Sequence, residues 1–507
     1  MLSPVSSDGP VRPSGENAPE LPSVRSISKD ALLYVPGRGI PAVVQILTVT
    51  VLTHYFTPED IGRYDLTFRF ILFLSTFTFL WLNMGILRFY AGCELRGQTA
   101  AFFGVMGFLK YGAMVWGLLI GAGAYFFGPE RLFGSYRGLL GAGLVVFVAY
   151  TLYETGLAVL RAKRKPGVYS MATTISAGLR LPAAMAFFLW WKMDIAGMLW
   201  AMAGTYLLAH FLVVRRYVGA PRPLFARGER ELLKEVLAYG LPIWLTQILN
   251  FLIVNSDRYL LKAFHGDAQV GLYAVTTNLI DQPMTLVFQT FGLAVFPSVA
   301  AAWEAQGRDH TEYLVGGVTR VFFLLCVPLM VLLSVLGRPI FAVLAHGEAE
   351  QAYQAAGWVA MASLFYGLSY FANFGLHLSK RTSILLAATV LALAVNLGCN
   401  WVLIPWKGYI GAGMARVVSN AVLVILVAAA GHRYLAWRFP VWALARITAA
   451  AGIAGAALWL IDGRVVDNVF TLGARFVIGG GLYGVLLLIF REVPIDEVRR
   501  VLRRFRR

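Results

Sequence analysis

Along this chain, apolar residues gather into stretches of about twenty, each closed off by a short polar or charged link. A helix rises about 1.5 Å per residue, so about twenty residues cross the roughly 30 Å of a bilayer's hydrocarbon. Such stretches fall near 31–54, 66–90, 102–127, 138–160, 169–191 and 195–214, then near 237–262, 272–298, 314–336, 355–378, 384–404 and 409–430. A last pair follows near 441–461 and 470–490. The pattern predicts an all-α integral membrane protein of about 14 transmembrane helices. The links inside 169–214 and 384–430 are so short that each pair reads as a tight helical hairpin. Composition agrees: 58% of the 507 residues are hydrophobic and 14% are charged. A water-soluble chain needs far more charge to cover a core of this size, so apolar surface faces lipid.

Charge fixes the expected orientation. If fourteen helices alternate, the side holding both termini collects 29 of the 44 Lys and Arg, flanks included, and the other side holds eight. Arg161, Lys163, Arg164 and Lys165 share one such loop, and Arg215, Arg216, Arg222, Arg227, Arg230 and Lys234 share another. Excess cation marks the cytoplasmic side, which predicts a bacterial inner-membrane protein with both termini cytoplasmic. The same bias accounts for the net charge of +17 without nucleic acid, for which no basic, aromatic-interleaved domain exists. Residues 1–28, rich in Ser and Pro, are expected as a disordered tail, and 492–507 as a basic tail that either lies on anionic lipid or simply extends the cytoplasmic charge.

The chain repeats itself. Gly39-Ile40-Pro41 with Gln45-Ile46-Leu47 matches Gly240-Leu241-Pro242 with Gln247-Ile248-Leu249, and Ile61-Gly62-Arg63-Tyr64 matches Val270-Gly271-Leu272-Tyr273. Trp191-Lys192 with Gly197-Met198 matches Trp406-Lys407 with Gly413-Met414. The order is shared, which implies six helices followed by six more. Because six is even, both sets start on one side and are related by an axis along the membrane normal. The expected division is an N-lobe over 29–220, a C-lobe over 221–436 and two extra helices over 437–491, the lobes enclosing a central cavity.

No phosphate-binding loop, H-E-x-x-H zinc helix or G-x-S-x-G elbow is present. The odd count of three cysteines, all in apolar stretches, gives neither a disulfide framework nor a metal site. No cofactor, metal or enzymatic role is expected, and transport would draw on an ion gradient, the membrane potential or removal of product.

The stretches "GRGIPAVVQILTVTVLTHYFTPEDIGRYDLTFRFILFL" and "YGLPIWLTQILNFLIVNSDRYLLKAFHGDAQVGLYAV" resemble the polysaccharide-transport and oligosaccharide-flippase branch of the multidrug/oligosaccharidyl-lipid/polysaccharide (MOP) flippase superfamily. The likeness runs from about Ser28 to Arg491 and is most specific at Asn255 to Tyr259 and Val270 to Tyr273. It implies two six-helix lobes in a V, with helices 1, 2, 7 and 8 lining the cavity. It also implies flipping of polyprenyl-diphosphate-linked oligosaccharide from the cytoplasmic to the periplasmic leaflet. The implied partners are the lipid-linked glycan, membrane lipids, and the glycosyltransferases and polysaccharide polymerase of one pathway.

Charges inside the spans are costly, about 2.5–3.5 kcal/mol for a central Arg on insertion scales, so each needs a reason. Arg38, Arg69, Arg88 and Arg258 are expected to contact the diphosphate or its sugars, since a guanidinium presents forked donors to phosphate oxygens. Snorkelling to the headgroups competes with that role for Arg38, Arg69 and Arg88. Asp257 and Asp281 are the gate or coupling candidates, with Asp281 at a depth to meet Arg258. Glu154 and Arg180 are expected as a structural ion pair. Trp244 and Tyr273 are candidate platforms for a sugar ring. Two other readings compete with the flippase: an ion-coupled drug or metabolite antiporter, which wants a carboxylate-dominated cavity, and a glycan polymerase or ligase, which wants a large outer loop. No outer loop longer than about fifteen residues is expected here.

Overall fold

The computed structural model describes residues 36–128, 136–218, 227–379, 381–461 and 468–492. The two tails expected at 1–28 and 492–507 fall outside the described residues, apart from Glu492. Fourteen helical passes follow one another: α1 Pro36–Tyr55, α2 Pro58–Leu95, α3 Thr99–Phe127, α4 Arg137–Ala162, α5 Pro166–Leu189 and α6 Ala196–Tyr217. The second set is α7 Arg227–His265, α8 267–306, α9 308–335, α10 Ala356–Ala372, α11 382–407 and α12 409–431. Helices α13 Val441–Ile461 and α14 Val469–Ile489 complete the chain. No strand occurs among the described residues.

Three reversals need no loop at all. Gly266 (φ 83°), Gly307 (φ 75°) and Gly408 (φ 54°) each turn one helix straight into the next. A side chain is strained at positive φ, so glycine is what allows a one-residue hairpin. The start of α2 is set differently. Thr57 and Asp60 form a capping box, and Pro58 occupies the first turn, where its missing N–H costs nothing.

The alternating passes put the links rich in Lys and Arg together on one face, the basic face. On the basic face, Lys163 donates to the Tyr217 carbonyl at 2.8 Å, and Arg320 and Arg446 converge on buried Glu492 at 2.5 and 3.4 Å. The opposite, far face gathers the α1–α2 link, Tyr136, Gly266, Gly408 and the α9–α10 connection. That connection, 336–355, is longer than the expected limit of about fifteen residues. It folds into the short helix Gly337–Leu344 and the 3-10 turn Gly347–Ala355.

Within each lobe, helices approach through small residues, as they must where lipid supplies no hydrophobic driving force between them. Gly117 of α3 receives Phe147 of α4, and Gly367 of α10 receives Phe322 of α9. The added helices α13 and α14 seat Gly455 and Gly479 against Val331 and Leu332 of α9, outside the C-lobe. Widened π-turns interrupt α2 at Thr76–Leu80, α6 at His210–Val214 and α8 at Thr277–Asp281. Such turns are rare and favour functional positions.

Candidate functional site at the lobe interface

The lobes meet where the repeated motifs meet each other. Gly62 of α2 and Gly271 of α8, matched in the sequence repeat, lie face to face at the far-face end. A methyl group on Gly62 would overlap the Asp267 carbonyl, and one on Gly271 would overlap the Pro58 carbonyl. Backbone therefore touches backbone, and the passage between the lobes is closed at this end.

Polar groups surround the crossing. Asp267, buried in the first turn of α8, accepts hydrogen bonds from the Tyr136 hydroxyl at the head of α4 and from Lys262 of α7 at 2.6 Å. The guanidinium of Arg63, on α2, stands 3.7 Å away. Burial, then the bond to Asp267, holds the Tyr136 phenol protonated far above its ordinary pKa. Two groups of the N-lobe and one lysine of the C-lobe thus share a single carboxylate.

A second junction lies deeper. Asp65 and Arg258 each sit seven residues inside their helix ends, about 10 Å below the far face. Arg258 donates through Nε to Asp65 Oδ2 at 2.8 Å, bridging α7 to α2, and through Nη2 to Thr277 Oγ1 at 2.9 Å. Its Nη1 reaches its own neighbour Asp257 at 3.4 Å. The other oxygen of Asp257 accepts the Tyr273 hydroxyl at 2.6 Å, and the guanidinium lies 5.1 Å above the Tyr273 ring. Arg69, one turn below Asp65, completes the group at 3.3 Å. Two carboxylates and two guanidiniums neutralise each other, with Arg258 only 3% exposed. Near it, Gln45 of α1 donates to Asn278 of α8 at 3.2 Å, a further bond between the lobes.

Other expected partners are not joined. Asp281 binds Arg416 of α12 at 2.9 Å and the Ser363 hydroxyl at 2.5 Å, both within the C-lobe, rather than Arg258. Glu154 pairs with Arg161 at 3.5 Å, and Arg180 instead donates to the Tyr206 hydroxyl at 3.2 Å. Glu154 and Arg161 lie seven residues, close to two full turns, apart on one helix, so they share a face and the nearer partner wins. Arg88 is exposed on the basic-face half of α2 and has no acidic partner among the described residues. Arg38 lies on α1, but its side chain is outside the described residues. Neither aromatic candidate is a free platform. Tyr273 is fully buried, and the Trp244 indole donates to the Phe77 carbonyl at 2.6 Å, across the lobes.

Asp65, Arg63, Asp267, Lys262, Tyr136 and Lys110 were not among the candidates named from the sequence. Asp65 and Arg63 lay outside the apolar window that began at 66, although the Thr57–Asp60 capping box marks an earlier helix start. Lys110, buried near the middle of α3 with its ammonium 4.4 Å from the Tyr111 ring centre, was visible as a lone cation in an apolar run.

The family model described as "Polysaccharide biosynthesis protein" matches residues 27–303, more than half of the chain. No curated protein matches. Among solved structures, the lipid II flippase MurJ in an inward closed conformation superposes with TM-score 0.74 at 15% identity, over 91% of this chain and 99% of that one. An inward-facing multidrug resistance MATE family transporter of the MOP superfamily gives 0.62 at 13% identity, over 80% and 97%. A MOP superfamily transporter from Pyrococcus furiosus gives 0.55 at 14%, over 80% and 94%. At such identities the likeness establishes the fold: two six-helix lobes with two helices added.

Proposed function

The chain belongs to the polysaccharide biosynthesis protein family, and from that premise we propose that it flips polyprenyl-diphosphate-linked oligosaccharide across the bacterial inner membrane, from cytoplasmic to periplasmic leaflet. The basic face is then cytoplasmic and the far face periplasmic. The observation that supports the reading is the polar far-face interface, where Asp65 meets Arg258 and Asp267 meets Arg63 across the lobes. A buried ion pair is costly to leave half-broken, about 3–5 kcal/mol when one partner is lost. The same pair is worth only about 0–1 kcal/mol once both partners are hydrated. If the lobes part and water enters, Asp65 and Arg258 exchange each other for water at little net cost. Closure at one face and opening at the other then becomes a modest population shift.

The proposed substrate contacts are Arg88, Arg38 and Arg69, with Arg258 joining when the junction opens. Cations suit a diphosphate. The carboxylates weigh against the antiporter reading. Among the described residues, Asp65, Asp257, Asp267, Asp281 and Glu154 each face a cation. None stands free to carry a proton or sodium ion in this state. The lipid-linked glycan would come from glycosyltransferases and pass to a polymerase on the far side.

The test is translocation in liposomes, with a fluorescent polyprenyl-diphosphate oligosaccharide and an impermeant quencher. Wild type is expected to move the label to the opposite leaflet, and Arg88→Ala to do so at least about tenfold more slowly while keeping its thermal stability, for the loss of a charged phosphate contact. Wild-type protein that moves no such lipid, yet exchanges cationic drugs against protons, would replace this reading with the antiporter.

A further inference from the structure

We propose that His54 and His346 form a bridging site for a divalent cation of the zinc class, which locks the far face shut. The proposal rests on the reading that the lobes separate at this face.

His54 is the penultimate residue of α1, in the N-lobe, and His346 lies in the α9–α10 connection of the C-lobe. Their ring centres stand 5.0 Å apart, with the planes at 85°. Both side chains are exposed at the end of the molecule where the lobes touch. Neither imidazole hydrogen-bonds to another described residue, so each keeps a ring nitrogen available. The His54 ring also packs edge-on against the neighbouring Tyr55 at 5.0 Å.

The spacing fits a shared metal. Zinc holds imidazole nitrogen at about 2.0–2.1 Å, which places each ring centre about 3.2 Å from the ion. At a tetrahedral angle the two centres then stand about 5.2 Å apart. The observed separation meets that without moving either helix. The competing account is a plain edge-to-face contact between the two rings, which asks for no ligand. Phenyl rings would serve such a contact as well, whereas a shared metal requires imidazole nitrogen. Among the described residues no group of three or more His, Cys, Asp or Glu is placed to hold a metal ion, so the protein would supply two ligands here and water the others. The exposed carboxylates Glu348 and Glu350 follow in the same connection and lower the local potential.

One ligand comes from each lobe, so the ion binds the closed state and not the open one. At a free concentration 100 times its dissociation constant it biases the equilibrium toward closure about 100-fold.

The experiment uses the purified full chain and zinc itself. Calorimetric titration is expected to show one Zn²⁺ per chain, with affinity reduced at least about tenfold in His54→Ala and in His346→Ala. Spin labels placed across the far face should show Zn²⁺ narrowing the distance distribution in wild type and in neither variant. Absence of binding at about 1 mM Zn²⁺, or binding that both variants retain unchanged, overturns the site. Zinc that binds wild type as expected, in a protein that translocates no lipid-linked glycan, supports the site and refutes the flippase reading instead.

Discussion

The two ends of the lobe interface are made of different materials. At the far face, α2 crosses α8 backbone to backbone at Gly62 and Gly271, and directional polar bonds to Asp267 and Asp65 surround the crossing. Toward the basic face, α2 instead meets α7 through large aromatic rings. Trp81 covers Gly240, Phe89 packs edge-on to Tyr239 at 5.6 Å, and Phe77 lies 5.4 Å from Trp244. Directional bonds at short range are either made or absent, so the far end behaves as a contact with two states. Broad ring contacts keep much of their area as helices tilt. The difference teaches that the aromatic end can serve as a pivot while the polar end opens.

The sharpest way to break this comparison is to prevent the crossing. Gly62→Leu places a side chain where the Asp267 carbonyl lies, and Gly271→Leu does the same against Pro58. Either is expected to hold the far face open. With the native cysteines Cys93, Cys326 and Cys399 replaced, a cysteine at Thr277 should react with an impermeant thiol reagent at least about tenfold faster, as expected when a buried position becomes solvated. Gly123→Leu, on α3 with open space around it, serves as the control and should change nothing. Unchanged labelling in both crossing variants would mean that the far face does not close through these glycines.

Next in size is the ion network. Arg258→Ala strips Asp65 of its partner on the other lobe and leaves Asp257 without a cation, held by the Tyr273 hydroxyl and the backbone N–H of residue 258. Asp65→Ala leaves Arg258 still held by Asp257 and Thr277. Arg258→Ala should therefore destabilise more, by about 3–5 kcal/mol against a smaller loss for Asp65→Ala. Thermal unfolding in detergent checks the order. The double exchange Asp65→Arg with Arg258→Asp should recover part of both the stability and the far-face protection. If the two single variants lose equally and the exchange recovers nothing, the pair is not what joins the lobes.

How much of this was legible beforehand follows from what one sequence encodes. The fourteen passes were legible because a bilayer imposes a length on every apolar run, and the alternation of basic loops fixed which ends share a face. The paired repeats pointed to two lobes, and Gly62 and Gly271 already stood in matched positions. Partner choice was not legible. Hydropathy gives a residue its depth but not its angle around the helix, so Asp281 could be set level with Arg258 and still turn toward Arg416 on α12. Asp65 was lost for a related reason. The helix runs beyond the apolar window that reveals it, and Gly62, Arg63 and Asp65 belong to that amphipathic extension. Glu154 and Arg180 had matching depths on adjacent helices, but two turns along α4 brought Arg161 closer.

The smallest expected effect probes the pivot. The Trp244 indole donates across the lobes to the Phe77 carbonyl, which lies in the π-turn of α2. Trp244→Phe removes that bond and keeps a ring against Phe77. One hydrogen bond is worth about 1 kcal/mol net, with a further small loss for the reduced ring area. If the basic-face end is a pivot whose strength lies in contact area, the variant should unfold at a slightly lower temperature, with thiol labelling at position 277 unchanged. Removing the area itself, with Trp244→Ala, should then loosen the lobes far more than Trp244→Phe does. A Trp244→Phe variant as impaired as Trp244→Ala would place the strength of this end in one directional bond, and the contrast between the two ends of the interface would vanish.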